Sequence, residues 1–271
     1  MQLQSCTSES SIFEQFKSDG IVFLPKLIDL DQAAEIRDES VKILTGEYST
    51  GIAPDKIKWK PGDKETVVKS VCNAWKSSGL LWSLIENLSL YESVARMMGW
   101  NSVRLNQDSI LVVPPGSSGV TFHFDNAYQD WHSPGGIATI WISLSDLTHE
   151  GSSALSYAAG SQHWHHGDRV AKFTTNGNPD SEMIHFANTA GYTLTLNSFA
   201  YNIGDASIHH GQLWHGSYQN LTPVSRFAYA IHLMNGESRF NDVTSPYFSR
   251  YRLKGTDFMD ESFFPLLWRY R

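Results

Sequence analysis

His123-Phe124-Asp125 is answered about ninety residues later by His215 and then by Arg226. Two imidazoles and one carboxylate form the ligand set of a non-haem Fe(II) site that keeps coordination positions open for oxygen chemistry. In a β-strand, residues i and i+2 point to the same side. His123 and Asp125 can therefore serve one ion while Phe124 packs on the other side, and a third ligand must come from elsewhere. His-x-Asp alone is a weak signal, because the chain holds 11 histidines and His166-Gly167-Asp168 repeats the pattern. Context separates the two: His123 ends a strand pattern and precedes another strand, whereas His166 lies in a Gly-rich polar stretch.

His215 sits in Trp214-His215-Gly216-Ser217, and a histidine beside a tryptophan is more often a packed, hydrogen-bonded residue than a ligand. Arg226 reverses that weighting. It opens an alternating run to Met234 and shares a face with Ala228, Ala230 and His232. A guanidinium over small alanines has room to grip a carboxylate through two nitrogens, which a lysine does less well. The bland alternative is a surface ion pair.

These residues need a rigid frame, and the composition permits one. With 271 residues, 41% hydrophobic and 13% aromatic, the chain is expected to bury its core as a single domain. The charge of −7 comes without a basic stripe, which argues against nucleic-acid binding. Met1 to Cys6 lacks a basic and apolar leader, and no stretch approaches eighteen uninterrupted apolar residues, so no membrane segment and a cytoplasmic location are expected. Cys6 and Cys72 are too few for a disulfide framework or a thiolate zinc site, which fits a reducing compartment.

Helical signals concentrate in the first hundred residues. Ser11 to Glu14 has capping-box spacing and Gly20 is a stop, giving a helix over 12–18; Ile21 to Pro25 is then a buried strand. A second helix is expected from Asp31, as N-cap, to Leu44, with Gly46 beyond it. A third covers Leu80 to Met98, where Leu81, Leu84, Ile85, Leu88, Tyr91, Val94 and Met98 share a face. After Gly99 the period becomes 2: Val103, Leu105, Gln107, Ser109, Leu111 and Val113 alternate with Arg104, Asn106, Asp108, Ile110 and Val112. Further strands are expected at Val120–Asp125, Ile137–Leu144, Ala200–Ile203, Ala206–His210 and Arg226–Met234. The pattern is mainly β with flanking helices and suits a double-sheet jelly roll. Its parts are a helical buttress mainly over 1–100, a core over about 101–235 and a C-terminal extension over 236–271. Residues 160–190 read as a long loop of the kind that often forms a lid.

His123-x-Asp125, Trp141, Gly160-Ser161-x-His163, Gly204-Asp205, His215-Gly216-Ser217 and Arg226, in that order, resemble the phytanoyl-CoA dioxygenase family of Fe(II)/2-oxoglutarate oxygenases. The resemblance includes Phe16-x-x-Asp19-Gly20-x-Val22-x-Leu24-Pro25 and the eleven-residue step from His215 to Arg226, and covers most of the chain. It implies a cupin-like double-stranded β-helix, with His123, Asp125 and His215 as iron ligands and Arg226 on the 5-carboxylate of 2-oxoglutarate. Trp141, Thr139 on its strand face, and Gln107 would lie near the cosubstrate. The implied reaction consumes O2 and 2-oxoglutarate, releases succinate and CO2, is helped by ascorbate, and hydroxylates or otherwise oxidises a small molecule such as an amino-acid derivative or natural-product intermediate. Related halogenases lack the carboxylate ligand; Asp125 is present here. The rival is a redox-neutral or non-catalytic cupin-like metal-binding protein, which has no need of Arg226.

Other positions carry weaker expectations. Tyr128, Asp130 and Trp131 follow the metal strand closely enough to form a pocket wall. Lys56, Lys58 and Lys60 suit an anionic substrate or, beside Asp63 and Glu65, a solvated loop. His163, His165, His166, His209 and His210 are expected to be structural or exposed. The run Asp260 to Trp268 either caps the pocket or finishes the core.

Overall fold

The computed structural model describes residues 9–166 and 178–270. Its larger sheet is antiparallel and runs β1 (Ile21–Leu24), β10 (Ala206–His210), β7 (Ile137–Ser143), β12 (Arg226–Asn235), β4 (Ser102–Val113), β3 (Lys69–Cys72), β2 (Lys56–Ile57). Strand β14 (Leu266–Arg269) also pairs with β4. The smaller sheet runs β5 (Val120–His123), β11 (His215–Ser217), β8 (Leu155–Ala158), β9 (Leu196–Ser198), and β6 (His132–Ser133) pairs with β13 (Arg239–Phe240) in a short ribbon. The two facing sheets, with strands distant in sequence side by side, make the double-stranded β-helix. Ile21, Trp141, Tyr157, Leu213, Ala228 and Ala230 cluster in the core.

Helices α1 (Glu9–Asp19), α2 (Leu30–Leu44), α3 (Gly79–Asn87) and α4 (Tyr91–Met98) pack against the larger sheet. Ile36, Ile43, Leu81, Ile85 and Val94 join Ile110, Ile140, Ile208 and Ile231 in one buried cluster. Each such side chain contributes roughly 1.5–3 kcal/mol of burial, so the sheet that carries Arg226 and Thr139 is stiffened from behind. Helix α5 (Ser181–Ala190) does the same for the smaller sheet: Met183, Phe186 and Ala187 pack with Phe122, Phe124, Trp164 and Trp214. Among the described residues no helix is long and apolar enough to cross a membrane.

Several local expectations are corrected. The first helix runs Glu9–Asp19, so Ser11 lies inside it rather than at its start; Gly20 at φ 76 still ends it. Asp29, not Asp31, caps α2, its side chain accepting from Gln32 N while Gln32 returns a bond to the cap. The single helix expected over Leu80–Met98 is two, because Leu88 is extended at ψ 127; the Tyr91 hydroxyl donates to the Ile85 carbonyl near the break. The apolar face survives the break.

Alternation in β4 also fails midway. Val103 and Leu105 share the helix-side cluster with Ile110 and Val112, so odd residues face the helices before the interruption and even residues after it. The cause is a bulge: His232 pairs with Gln107 and Leu233 with Leu105, leaving Asn106 without a partner in β12. Ala200–Ile203 is not a strand, since only Tyr201 forms an isolated bridge, to Leu147. The long loop expected over 160–190 contains α5, which packs behind the metal strand rather than over it. Residues 167–177 lie outside the described residues. Phe264 joins the buried cluster of Trp131, Phe248 and Tyr251, and β14 extends the larger sheet, so the C-terminal run finishes the core.

Candidate active site

The small sheet places His123 and His215 directly opposite each other, with ring centroids 4.4 Å apart. Glycine is required beside them: a Cβ on Gly216 would lie 2.8 Å from both Phe122 N and Val120 O of the neighbouring strand. Strand β5 ends at His123, yet Phe124 stays extended at φ −126 and ψ 135, which preserves the i, i+2 relation as Asp125 opens a 3-10 turn. Asn126 pins that turn, its N–H donating to Gly211 O at 2.8 Å and its Oδ1 accepting from Ile137 N at 2.9 Å.

Both imidazoles are oriented in the same way. Nδ1–H of His123 donates to Thr121 O at 2.8 Å and Nδ1–H of His215 to Leu213 O at 2.9 Å. A carbonyl only accepts, so each proton sits on Nδ1 and Nε2 carries the lone pair a metal takes. Nε2 of His123 lies 3.5 Å, and that of His215 3.7 Å, from Asp125 Oδ1; the three ligand atoms fall within 4.8 Å of one another. Burial works to raise the Asp125 pKa, but the imidazoles of His215, His123, His209 and His232 outweigh it and hold the carboxyl well below its usual range. Burial drives His215 well below the usual histidine value. An anionic carboxylate beside a neutral imidazole is the protonation state a divalent cation needs.

Arg226 lies on the same interior side and is only 1% exposed. Its Nη1 donates to Ser153 O at 2.5 Å, whereas Nε and Nη2 have no partner among the described residues. The guanidinium stands 5.8 Å from the centre of the Trp141 ring, whose own buried Nε1 is also unpartnered. Burial pulls the arginine down to about 10, so it remains a cation at neutral pH. A buried cation with two idle donors calls for an anion. The surface ion pair is excluded.

The sequence-selected residues divide clearly. Thr139 Oγ1 donates to Asp125 Oδ2 at 2.7 Å, and Gln107 Oε1 accepts from Cys72 Sγ at 3.4 Å. Trp131 is wholly buried and stacked on Phe248, so it is core and not pocket wall, while Tyr128 is 41% exposed. His166 stacks on Phe124, contacts Gln212 O through Nε2 and accepts from Trp214 Nε1 through Nδ1, leaving no ring nitrogen for a metal. Asp168 of that motif lies outside the described residues. Lys56 bonds the Tyr247 hydroxyl at 2.9 Å.

Sequence reasoning missed three residues. Ser153 adopts the left-handed φ 62, a conformation that costs a non-glycine residue of order 1 kcal/mol, and its carbonyl meets Arg226. Tyr157 is the register partner of His215, and its hydroxyl bonds Ser207 at 2.9 Å. His209, expected to be structural or exposed, is buried 3.4 Å from Asp125 Oδ2. Period-2 counting along Ala206–His210 puts Ser207 and His209 on one face, which was the available signal.

The fold and site define a double-stranded β-helix in which His123, Asp125 and His215 are grouped as a set that could hold a metal ion, with the buried Arg226 on the facing sheet. The chain belongs to the phytanoyl-CoA dioxygenase (PhyH) family, whose profile matches residues 16–228. No curated protein sequence matches it significantly. Among solved structures it resembles the non-heme alpha ketoglutarate dependent carbocyclase SnoK from nogalamycin biosynthesis, at 21% identity and TM-score 0.73 over 97% of this chain and 100% of that one. The epimerase SnoN in complex with Fe3+, alpha ketoglutarate and nogalamycin RO matches at 18% identity and TM-score 0.73, over 96% and 98%. EctD from S. alaskensis matches at 18% identity and TM-score 0.66, over 89% and 81%.

Proposed function

We propose that the chain is an Fe(II)- and 2-oxoglutarate-dependent oxygenase that hydroxylates a small molecule, releasing succinate and CO2. One observation carries the reading: the buried Arg226 guanidinium, with Nε and Nη2 unpartnered among the described residues, on the same interior side as the His123, Asp125 and His215 cluster. In this reading His123, Asp125 and His215 hold the iron, and Arg226 receives the distal carboxylate of the cosubstrate in a bidentate pair. Bound Fe(II) supplies the one-electron chemistry with O2 that side chains lack.

The remaining steps belong to the protein. Carbonyls of Thr121 and Leu213 fix the ligand tautomers. Trp141, Tyr157, Ala228 and Ala230 form a buried hydrophobic cluster whose low polarity strengthens the arginine–carboxylate attraction. Retention of Asp125 favours oxygenation over halogenation. A redox-neutral or non-catalytic cupin-like protein gives no reason to bury a cation here. The similarity to SnoK, a carbocyclase from nogalamycin biosynthesis, and to SnoN, seen with nogalamycin RO, supports a natural-product intermediate as the substrate class.

Calorimetric titration of 2-oxoglutarate into the iron-loaded protein under anaerobic conditions tests the reading, and absence of binding refutes it. Aerobic succinate release, accelerated by a member of a metabolite library, then identifies the substrate. One oxygen atom from 18O2 in the product marks hydroxylation, whereas cyclisation or epimerisation leaves the product unlabelled.

A further inference from the structure

The two oxygens of Asp125 have different surroundings. Oδ1 faces Nε2 of His123 and His215, at 3.5 and 3.7 Å. Oδ2 is turned to the larger sheet, where Thr139 Oγ1 donates at 2.7 Å, His209 Nε2 stands at 3.4 Å and His232 Nδ1 at 3.7 Å. These three residues occupy one transverse row: His209 pairs in register with Thr139 and Thr139 with His232. The Thr139 hydroxyl has one proton and gives it to Asp125, so it accepts from Nδ1–H of His232 at 2.9 Å.

His209 is the unexplained member of the row. It is 1% exposed, its ring lies 4.4 Å from that of His215 and 5.5 Å from that of Tyr157, and neither ring nitrogen has an aligned hydrogen-bond partner among the described residues. Leaving buried polar groups unpaired is destabilising, and a phenylalanine would fill the same space without that penalty. Asp125 Oδ2 stands 3.4 Å from its Nε2, and an ionised carboxylate oxygen accepts more than one hydrogen bond.

We propose that His209 is a positioning residue that joins the Thr139–His232 pair in holding Asp125 Oδ2 against the larger sheet, so that the carboxylate offers the metal Oδ1 alone. A carboxylate chelating through both oxygens would occupy a further coordination position, one that the oxoacid or O2 needs. The inference rests on the metal assignment proposed above, but not on the identity of the cosubstrate.

Replacing His209 by Phe keeps the ring and removes both nitrogens. Mn(II), which takes the same ligand types and is stable in air, is the probe. In His209→Phe the metal-free melting temperature should equal or exceed that of the parent, while Mn(II) affinity falls about 10–100-fold, the usual cost of losing an outer partner of a metal ligand. The zero-field splitting in the Mn(II) EPR spectrum should change as well. His209→Gln, whose Nε2 reproduces the imidazole donor, should recover most of the affinity. Parent-like Mn(II) affinity and spectrum in His209→Phe overturn the proposal and make His209 a core filler. If that variant does not fold, Thr139→Val removes the other donor to the same oxygen, and unchanged Mn(II) affinity there overturns it equally. Parent protein that binds Mn(II) but not 2-oxoglutarate refutes the oxygenase reading and leaves the positioning role standing.

Discussion

His123 and His215 face each other across β5 and β11 at 4.4 Å, and each Nδ1 is tied to the backbone carbonyl two residues earlier in the chain. The symmetry matters because neither ring can turn without breaking its backbone bond, so both Nε2 atoms are aimed before any ion arrives. His123→Ala or His215→Ala should abolish the weak visible charge-transfer band formed by anaerobic Fe(II) with 2-oxoglutarate. His166→Ala should keep the band, since both His166 nitrogens are already engaged by Gln212 and Trp214. A band lost only in the His166 variant would move the metal site.

The close approach that seats those rings predicts a second result. In Gly216→Ala the new methyl meets Phe122 N and Val120 O at 2.8 Å, and backbone cannot yield as a flexible side chain can. Strands β5 and β11 must separate, drawing His215 from His123. We expect a loss of about 1–3 kcal/mol in denaturant unfolding, the usual cost of overpacking, together with weakened Fe(II) binding. Stability within a few tenths of the parent would show that the strands have room.

Arg226→Met separates binding from folding. Removing one charged partner of a desolvated carboxylate costs about 2–5 kcal/mol, so 2-oxoglutarate affinity should fall tens- to thousands-fold. Fe(II) affinity should stay level. The metal-free protein should not lose melting temperature, because a buried cation with two unpartnered nitrogens gives way to an apolar chain of similar length. A drop in melting temperature with intact 2-oxoglutarate affinity would assign Arg226 to the fold.

Legibility followed the physical origin of each feature. The grouping of His123 with Asp125 is legible because they are two residues apart in extended backbone, and the interior placement of Arg226 because it opens an alternating run. Strands β7 and β10 were visible as apolar stretches between turn residues. The Asn106 bulge was hidden, since nothing in Leu105-Asn106-Gln107 marks an extra residue until β12 is laid alongside. Helix α5 was lost among the polar residues around it, although Met183, Ile184, Phe186 and Ala187 carry helical spacing. His209 is buried and outside the His123, Asp125 and His215 cluster, in keeping with a structural histidine; its nearness to Thr139 on the neighbouring strand and Asp125 on the opposite sheet is not legible, because these are contacts between residues far apart in the chain.

Asp108 carries the last prediction, on the helix side of β4 and away from the metal position. It is fully buried; Oδ2 accepts from the Tyr229 hydroxyl and from Trp75 N at 2.9 Å, while Oδ1 has no partner among the described residues. Burial pushes its carboxyl up to about 7 from an ordinary 3.8, against the opposing pull of those hydrogen bonds. The folded chain therefore holds a proton that the unfolded chain releases between about pH 4 and 7. Its stabilising contribution is complete below the unfolded value and is lost as pH rises through the folded one. Asp108→Asn can keep the carbonyl that accepts from Tyr229 and Trp75 while placing an uncharged amide where Oδ1 was. The stability of the variant relative to the parent should therefore improve from pH 5 to pH 8, by on the order of 1–4 kcal/mol, and level off above that. Urea unfolding of both proteins at the two pH values measures the difference. A gap between the proteins that does not change with pH would mean that Asp108 ionises in the folded chain no later than in the unfolded one.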